Sequence, residues 1–288
     1  MDGKTKSNEV LYSPSQWCKR MDPYIVVNKH IEKVKLISEQ IKKSRYCKAT
    51  NIRYGSGDQQ LLDVYEDGLI SSDCTFVYIH GGYWQELNKD ISAYCVEPLV
   101  NAGIRVVVPG YDLAPKVTLF NIVEEIHQML SYLKDSLKYK NIWLGGHSAG
   151  AHLAASMIHP EINENIGVKG FILISGIFDL SPLLETSINK LLKLNKNTCL
   201  ELSPLKNLYG LDFTHITAQN CIKFFVAYGE NDSPAFHFQS KQFAKFLEKL
   251  GLDVTEERIN GVDHFDIVEN LSSIDYSLTK RIINFILN

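Results

Sequence analysis

Gly146-His147-Ser148-Ala149-Gly150 sets a serine between two glycines in a G-x-S-x-G pattern. A serine hydroxyl attacks a carbonyl carbon only when a base takes its proton, so the pattern asks for a histidine and, behind it, a carboxylate. The pentapeptide alone carries little weight, because a capping serine in a glycine-containing turn reads the same way. Context strengthens it: the run Asn141–Gly145 reads as a strand, and Ala149, Ala151, Ala154 and Ala155 begin a helix of small residues. A sharp strand-to-helix turn would hold the serine in a strained conformation, and flanking glycines would let neighbouring chain pass without a Cβ clash.

The base and acid should follow in the order serine, acid, histidine. Of nine histidines, only His237 and His264 come late enough. His264 sits in Gly261-Val262-Asp263-His264-Phe265, a loop directly after the last apolar run, and is the expected base; His237 falls within a helical stretch. Asp232, in the loop after Lys223–Tyr228, is the expected carboxylate, with Glu230 and Asp179 as rivals. Asp263 and Asp266 flank the histidine and would orient or solvate its loop. Upstream, Thr75–Ile79 leads into His80-Gly81-Gly82-Tyr83-Trp84. The paired glycines expose backbone N–H groups, so Gly81, Gly82 and Ala149 are the expected donors to the oxyanion of a tetrahedral intermediate, each typically worth about 2.7–4 kcal/mol. His80 would orient this loop. Tyr83 and Trp84 would wall a substrate ring, core packing being the alternative for either.

These loops must be held by a scaffold, and the chain supplies one. Eight runs read as strands: Thr50–Tyr54, Leu61–Tyr65, Thr75–Ile79, Arg105–Pro109, Asn141–Gly145, Gly170–Ser175, Lys223–Tyr228 and Val254–Ile259. Several are continuous β-branched and aromatic runs, as expected of strands covered on both faces. Helical stretches lie between them, at about Asp90–Ala102, Val117–Lys138, Ala149–Ile158, Pro234–Leu250 and Ser273–Leu287. The alternation implies an α/β fold with a mostly parallel sheet of about eight strands and helices on both faces. Before the sheet, Val27, Ile31, Val34, Ile37 and Ile41 recur at helical spacing from Pro23 to about Ser44. Lys29, Lys33, Lys35, Lys42 and Lys43 form a solvated face of that helix in preference to a membrane-binding one. The stretch 181–220, rich in Leu, Lys and Asn, fits neither strand nor long helix and reads as a small inserted cap. The expected organisation is one domain over 1–288, with 1–45 as an N-terminal helical extension.

Composition excludes classes without choosing a function. The 288 residues can bury a large core, and 45% hydrophobic with 22% charged residues is ordinary for a globular chain. A net charge of −3 argues against a dedicated nucleic-acid binder. The six cysteines form no C-x-x-C pair; an extracellular disulfide framework is the weaker reading, since the polar first ten residues lack the apolar stretch of a signal peptide. No run approaches the roughly 18 apolar residues of a membrane span. A reducing cytoplasm is the simplest expectation, and nothing in the sequence fixes the oligomeric state, so a homodimer stays open. The histidines lack paired ligand spacing, so no metal or cofactor is expected.

Four motifs together are more specific than any alone: His80-Gly81-Gly82-Tyr83-Trp84-Gln85, Tyr111-Asp112-Leu113-Ala114-Pro115, Gly146-His147-Ser148-Ala149-Gly150-Ala151-His152-Leu153 and Asp263-His264-Phe265-Asp266. With Tyr12-Ser13-Pro14-Ser15-Gln16-Trp17 at the start, the chain resembles the kynurenine formamidase (arylformamidase) family of the α/β-hydrolase fold over nearly its whole length. The HGG loop and elbow occur throughout hormone-sensitive-lipase-like esterases; Tyr83-Trp84, in place of a third glycine, is the more discriminating element. The resemblance implies hydrolysis of the formamide of N-formylkynurenine, a small-molecule substrate from tryptophan breakdown, without a metal. It also implies Ser148, Asp232 and His264 as the triad and Gly81, Gly82 and Ala149 as the oxyanion donors. A general carboxylesterase acting on small acyl esters would use the same residues and is the runner-up. A non-catalytic ligand-binding protein on this fold would usually have lost the serine or histidine, both of which have candidates here.

Overall fold

The computed structural model describes residues 6–68, 73–211, 213 and 222–288. Eight strands form one sheet: β1 (Cys47–Arg53), β2 (Leu61–Tyr65), β3 (Thr75–Ile79), β4 (Arg105–Pro109), β5 (Ile142–His147), β6 (Val168–Ile174), β7 (Lys223–Gly229) and β8 (Asp253–Ile259). Their spatial order is β1-β2-β4-β3-β5-β6-β7-β8. The β1–β2 and β2–β4 pairs are antiparallel and the rest parallel. Every run expected to be a strand is one. β3, β5 and most of β6 and β7 are buried along their length, which explains their unbroken apolar sequences. β8 lies at the edge and carries Asp253, Glu256, Glu257 and Arg258 on a largely exposed strand, a charge pattern that discourages pairing with another chain.

Two apolar layers cover the sheet. On one face, helices Leu119–Asp135, Ala149–Ala155 and Pro234–Lys249 pack on Val77, Leu144 and Val226. On the other, Pro23–Lys42, Val96–Asn101 and Ser277–Leu287 pack on Phe76, Tyr78 and Ile172. Among the described residues no helix is long and apolar enough to cross a membrane.

Three expectations change in detail. The Pro23–Lys42 helix, capped by Asp22 accepting from Tyr24 N at 2.8 Å, buries Val26, His30, Val34, Ser38 and Ile41. Its buried face is therefore turned from the purely apolar one, leaving Val27 and Ile31 half-buried. The reason is that two polar residues find partners inside: Ser38 Oγ accepts from Ala93 N at 3.0 Å, and His30 meets Glu269. The lysine face is not wholly solvated either, because Lys33 and Lys42 reach the buried carboxylates of Glu269 and Asp63. The stretch expected as one helix from Asp90 divides into a turn at Lys89–Ile91 and a helix at Val96–Asn101. Pro98 cannot donate within a helix interior, and restarting at Val96 places it in the first turn, where no donor is needed.

Among the described residues between β6 and β7 lie short helical turns at Ser181–Glu185, Asn189–Leu192, Lys196–Leu202 and Pro204–Asn207, whose Leu183, Cys199 and Leu205 join the core. Residues 212 and 214–220 of this stretch, and Cys221, lie outside the described residues. The remaining cysteines, Cys18, Cys47, Cys74, Cys95 and Cys199, are free thiols.

Candidate active site

The carboxyl ends of the parallel strands converge the chemistry. β3 and β5 are neighbours with Ile79 opposite Gly146, so the loop after β3 lies against the turn after β5. Likewise β7 and β8 pair with Gly229 opposite Ile259, bringing the loops that carry Asp232 and His264 side by side. The strand order reverses around β3, and the crevice at such a reversal is where open α/β sheets bind ligands.

Ser148 sits at φ 55° and ψ −117°, a left-handed conformation costly for a residue with a side chain, of order 1–3 kcal/mol. Surrounding structure enforces it: Ser148 N donates to Ile174 O at 2.9 Å, and Ser148 O accepts from His152 N at 3.1 Å. The flanking glycines are sterically required. A Cβ on Gly146 would stand 2.6 Å from Ile79 O, and one on Gly150 would collide with the same carbonyl. The serine is thereby pushed up into a cavity that His264 also lines.

His264 Nδ1 is 2.8 Å from Asp232 Oδ2, and both side chains are buried. The second oxygen of Asp232 accepts from Ser233 N at 2.7 Å, which fixes the carboxylate plane. Phe236 and His147 pack on the His264 ring with centroids 4.4 and 4.5 Å away. The rivals stand apart. Glu230 accepts from Gly261 N, Asp179 caps Ser181 N and pairs with Lys206, and His237 bonds Gly229 O through Nε2 at 2.7 Å.

Asp263 and Asp266 hold the histidine loop. Asp263 Oδ1 accepts from the amides of Phe265 and Asp266, while Asp263 N donates to Asp266 Oδ1 at 2.6 Å. Burial opposes the Asp263 charge, but hydrogen bonds from Cys18, Arg20 and the loop amides hold its pKa below the usual carboxylate range. Burial, then the neighbouring Asp263 charge, pushes Asp266 up.

The loop after β3 runs through left-handed conformations at Gly82 (φ 102°), Tyr83 (φ 50°) and Trp84 (φ 60°). Gly81 lies against the nucleophile, since a Cβ there would stand 3.3 Å from Ser148 Cβ. Among the described residues the amides of Gly81, Gly82 and Ala149 donate to no backbone carbonyl. His80 stacks on Tyr111 at 4.3 Å and bonds Gly81 O through Nδ1 at 2.8 Å, bracing the loop. Burial lowers the His80 pKa to about 4. Tyr83 lines the cavity, its hydroxyl donating to Tyr12 O. Trp84 does not. It is fully buried with its edge against His152, ring centroids 4.9 Å apart, and so serves the core. The two rings meet edge to face with centroids 6.2 Å apart, Tyr83 at the cavity and Trp84 behind it in the core.

The cavity, about 350 Å³, draws much of its wall from the N-terminal residues. Tyr12, Ser13, Val27, His30 and Ile31 line it together with Ser148 and His264, as do Ser187 and Ile188. The segment is moored to the catalytic loops: Leu11 O accepts from Ser233 Oγ at 2.6 Å, and Arg20 bridges Asp263 and Glu269 at 2.8 and 2.9 Å. Sequence reasoning missed His30, Glu269 and Arg20. The one available signal was a histidine at i+4 from Val26 and i−4 from Val34, a polar residue on a face that is otherwise apolar. Among the described residues no three His, Cys, Asp or Glu side chains converge as a metal site would require.

A serine at a strained strand-to-helix turn, a histidine paired with a carboxylate, and a glycine loop on the adjacent strand, all at one end of a mostly parallel sheet, define a hydrolase of the α/β-hydrolase fold. In agreement, the family described as alpha/beta hydrolase fold matches residues 76–266. A crystal structure of a Silicibacter sp. protein superposes with a TM-score of 0.80 at 25% identity, covering 96% of this chain and 98% of that one. Esterase B of Lactobacillus rhamnosis superposes at 0.69 with 21% identity over 91% and 94% of the two chains, a likeness of fold alone. Over 94% of its length the chain is 38% identical to a kynurenine formamidase of Salmo salar, covering 93% of that protein. It is 31% identical to one of Drosophila melanogaster over 95% of this chain and 93% of that one. The chain belongs to the kynurenine formamidase family.

Proposed function

We propose that this protein is an arylformamidase that hydrolyses N-formyl-L-kynurenine to L-kynurenine and formate in tryptophan catabolism. The observation that carries the reading is the pairing of His264 with Asp232 at 2.8 Å in the cavity holding the strained Ser148, in a chain that matches kynurenine formamidases from end to end.

Ser148 attacks the formyl carbon, which bears only hydrogen and is unhindered. His264 takes the serine proton, and Asp232, hydrogen-bonded at Nδ1, selects the tautomer that leaves Nε2 free to do so. The amides of Gly81, Gly82 and Ala149 receive the oxyanion of the tetrahedral intermediate. His264 then protonates the departing arylamine, and in a second half-reaction activates water to release formate from Ser148. Tyr83 borders the space for the aryl ring. The chain works as one catalytic domain, with 1–45 as an N-terminal helical extension and about 181–220 as a cap insertion; Tyr12, Ile31, Ser187 and Ile188 of these additions line the cavity. The free thiols are those of a protein in the reducing cytoplasm, and a homodimer is left open, to be decided by light scattering.

Turnover of N-formylkynurenine by the wild type, lost by roughly 10⁴-fold or more in Ser148→Ala, is the expected result. Comparing specificity constants for N-formylkynurenine and a short p-nitrophenyl ester on one preparation separates this reading from a general carboxylesterase. A large preference for the ester would overturn it.

A further inference from the structure

N-formylkynurenine carries an α-carboxylate and an α-ammonium remote from its formamide, and the triad accounts for neither. Among the described residues no lysine or arginine lines the cavity around Ser148. Its candidates for a cationic partner are three imidazoles: His264, His147 and His30. His264 is committed to the reaction. His147 is kept neutral, its pKa well below the ordinary value because of burial and then the nearby His264.

His30 is built differently. It rides on the Pro23–Lys42 helix with Nδ1 3.0 Å from Glu269 Oε1, repeating the histidine–carboxylate pairing of the triad at a second place in the lining of the cavity. Glu269 is itself fixed from behind by Arg20 at 2.9 Å and Lys33 at 3.1 Å. Nε2 of His30 makes no hydrogen bond among the described residues and is not sealed from solvent. His30 and His264 flank one phenyl ring, that of Phe265, at 5.4 and 5.7 Å. Ser148 and His30 line the same cavity, with Phe265 beside both imidazoles.

We propose that His30, oriented by Glu269, recognises the α-carboxylate of the substrate. With Nδ1 engaged by Glu269, Nε2 is the ring atom left to hydrogen-bond a carboxylate. This rests on the formamidase reading above.

The test measures kcat and KM of wild type, His30→Ala and His30→Gln with N-formylkynurenine, its deaminated and decarboxylated analogues, and formanilide. The ratio of specificity constants, N-formylkynurenine over formanilide, is expected to fall about 10- to 100-fold in both variants, as loss of a charge-assisted hydrogen bond implies. The loss is expected in KM, and for the deaminated but not the decarboxylated analogue. His30→Gln, which keeps a polar side chain of similar length beside Glu269, guards against a folding defect in His30→Ala. An unchanged ratio, a parallel loss on all substrates, or a loss that follows the amine overturns the proposal. Wild type inactive on every formamide would instead overturn the formamidase reading itself.

Discussion

Glu269 is a single carboxylate, 1% exposed, that receives Arg20, His30 and Lys33 at 2.9, 3.0 and 3.1 Å. Burial alone would raise its pKa, but the hydrogen bond from His30 and the charge of Arg20 outweigh it and bring the pKa from 4.5 to about 2. That gap is equivalent to about 3 kcal/mol of folding stability. Because the folded-state pKa is depressed, the contribution is present in full above pH 4.5 and is lost as the pH falls towards 2. Glu269→Gln removes the charge and leaves Arg20, Lys33 and the His30 ring facing an amide. Urea unfolding of wild type and variant at pH 7 should therefore differ by about 3 kcal/mol, with half-exposed Lys33 contributing least to it. At pH 3.5 the difference should narrow by roughly 1.4 kcal/mol, because Glu269 of the unfolded wild-type chain is by then largely protonated while that of the folded chain is not. A difference that does not change with pH would mean that Glu269 acts through packing alone, and the electrostatic argument for the mooring would fail.

The catalytic groups give sharper effects on rate. Asp232→Asn keeps the shape of the side chain but favours the wrong tautomer of His264, so kcat should fall by roughly 10⁴-fold with the melting temperature little altered. Steady-state kinetics beside a thermal melt would show this, and a loss under tenfold would remove Asp232 from its role. Gly82→Ala places a Cβ against Glu86 O at a φ of 102°, displacing the loop; loss of one oxyanion donor should cut kcat by about 10²–10³-fold. Equal loss of hydrolysis and of substrate binding would argue for general disruption instead. Burial lowers the pKa of His80 and His152 from 6.5 to about 4. Both are stable as neutral rings above pH 6.5, and stability should drain as the pH falls from 6.5 to 4, before most carboxylates titrate. Melting temperatures that stay flat from pH 7 to 4.5 would contradict this.

What the sequence displayed and what it concealed follow from the range of the interactions. The strands were legible because each is covered on both faces and so carries an uninterrupted apolar run, as in Thr75–Ile79 and Lys223–Tyr228. Ser148, Asp232 and His264 were legible because each follows such a run, and a strand end is a local feature. The wall opposite them was not. Arg20 and Glu269 are 249 residues apart in the chain, and no local pattern announces that one will meet the other. The Pro23–Lys42 helix was misread by one position for a related reason: apolar spacing favours Val27 and Ile31, whereas His30 and Ser38 go inside because partners from other segments satisfy them. Trp84 shows the converse. Its neighbour Tyr83 reaches the cavity, and only the left-handed backbone of Gly82, Tyr83 and Trp84 reveals that the two side chains part.

This division of labour bears on how selectivity arises. Ser148, His264 and the loop after β3 are fixed to one another through the hydrogen-bond register of the sheet that carries them, so they can shift only if the sheet does. The surface facing them is held by a few side-chain contacts: Leu11 to Ser233, Arg20 to Asp263 and Glu269, and His30 to Glu269. Those contacts end on the same loops that carry Asp232 and His264, so loosening the wall also loosens the histidine loop. A substitution at Arg20 should accordingly change kcat as well as KM, whereas one at Val27 or Ile31, which line the cavity without anchoring it, should act on KM alone. A catalytic loop indifferent to Arg20 would show that the wall and the triad are independent, and the coupling inferred from their shared carboxylates would not hold.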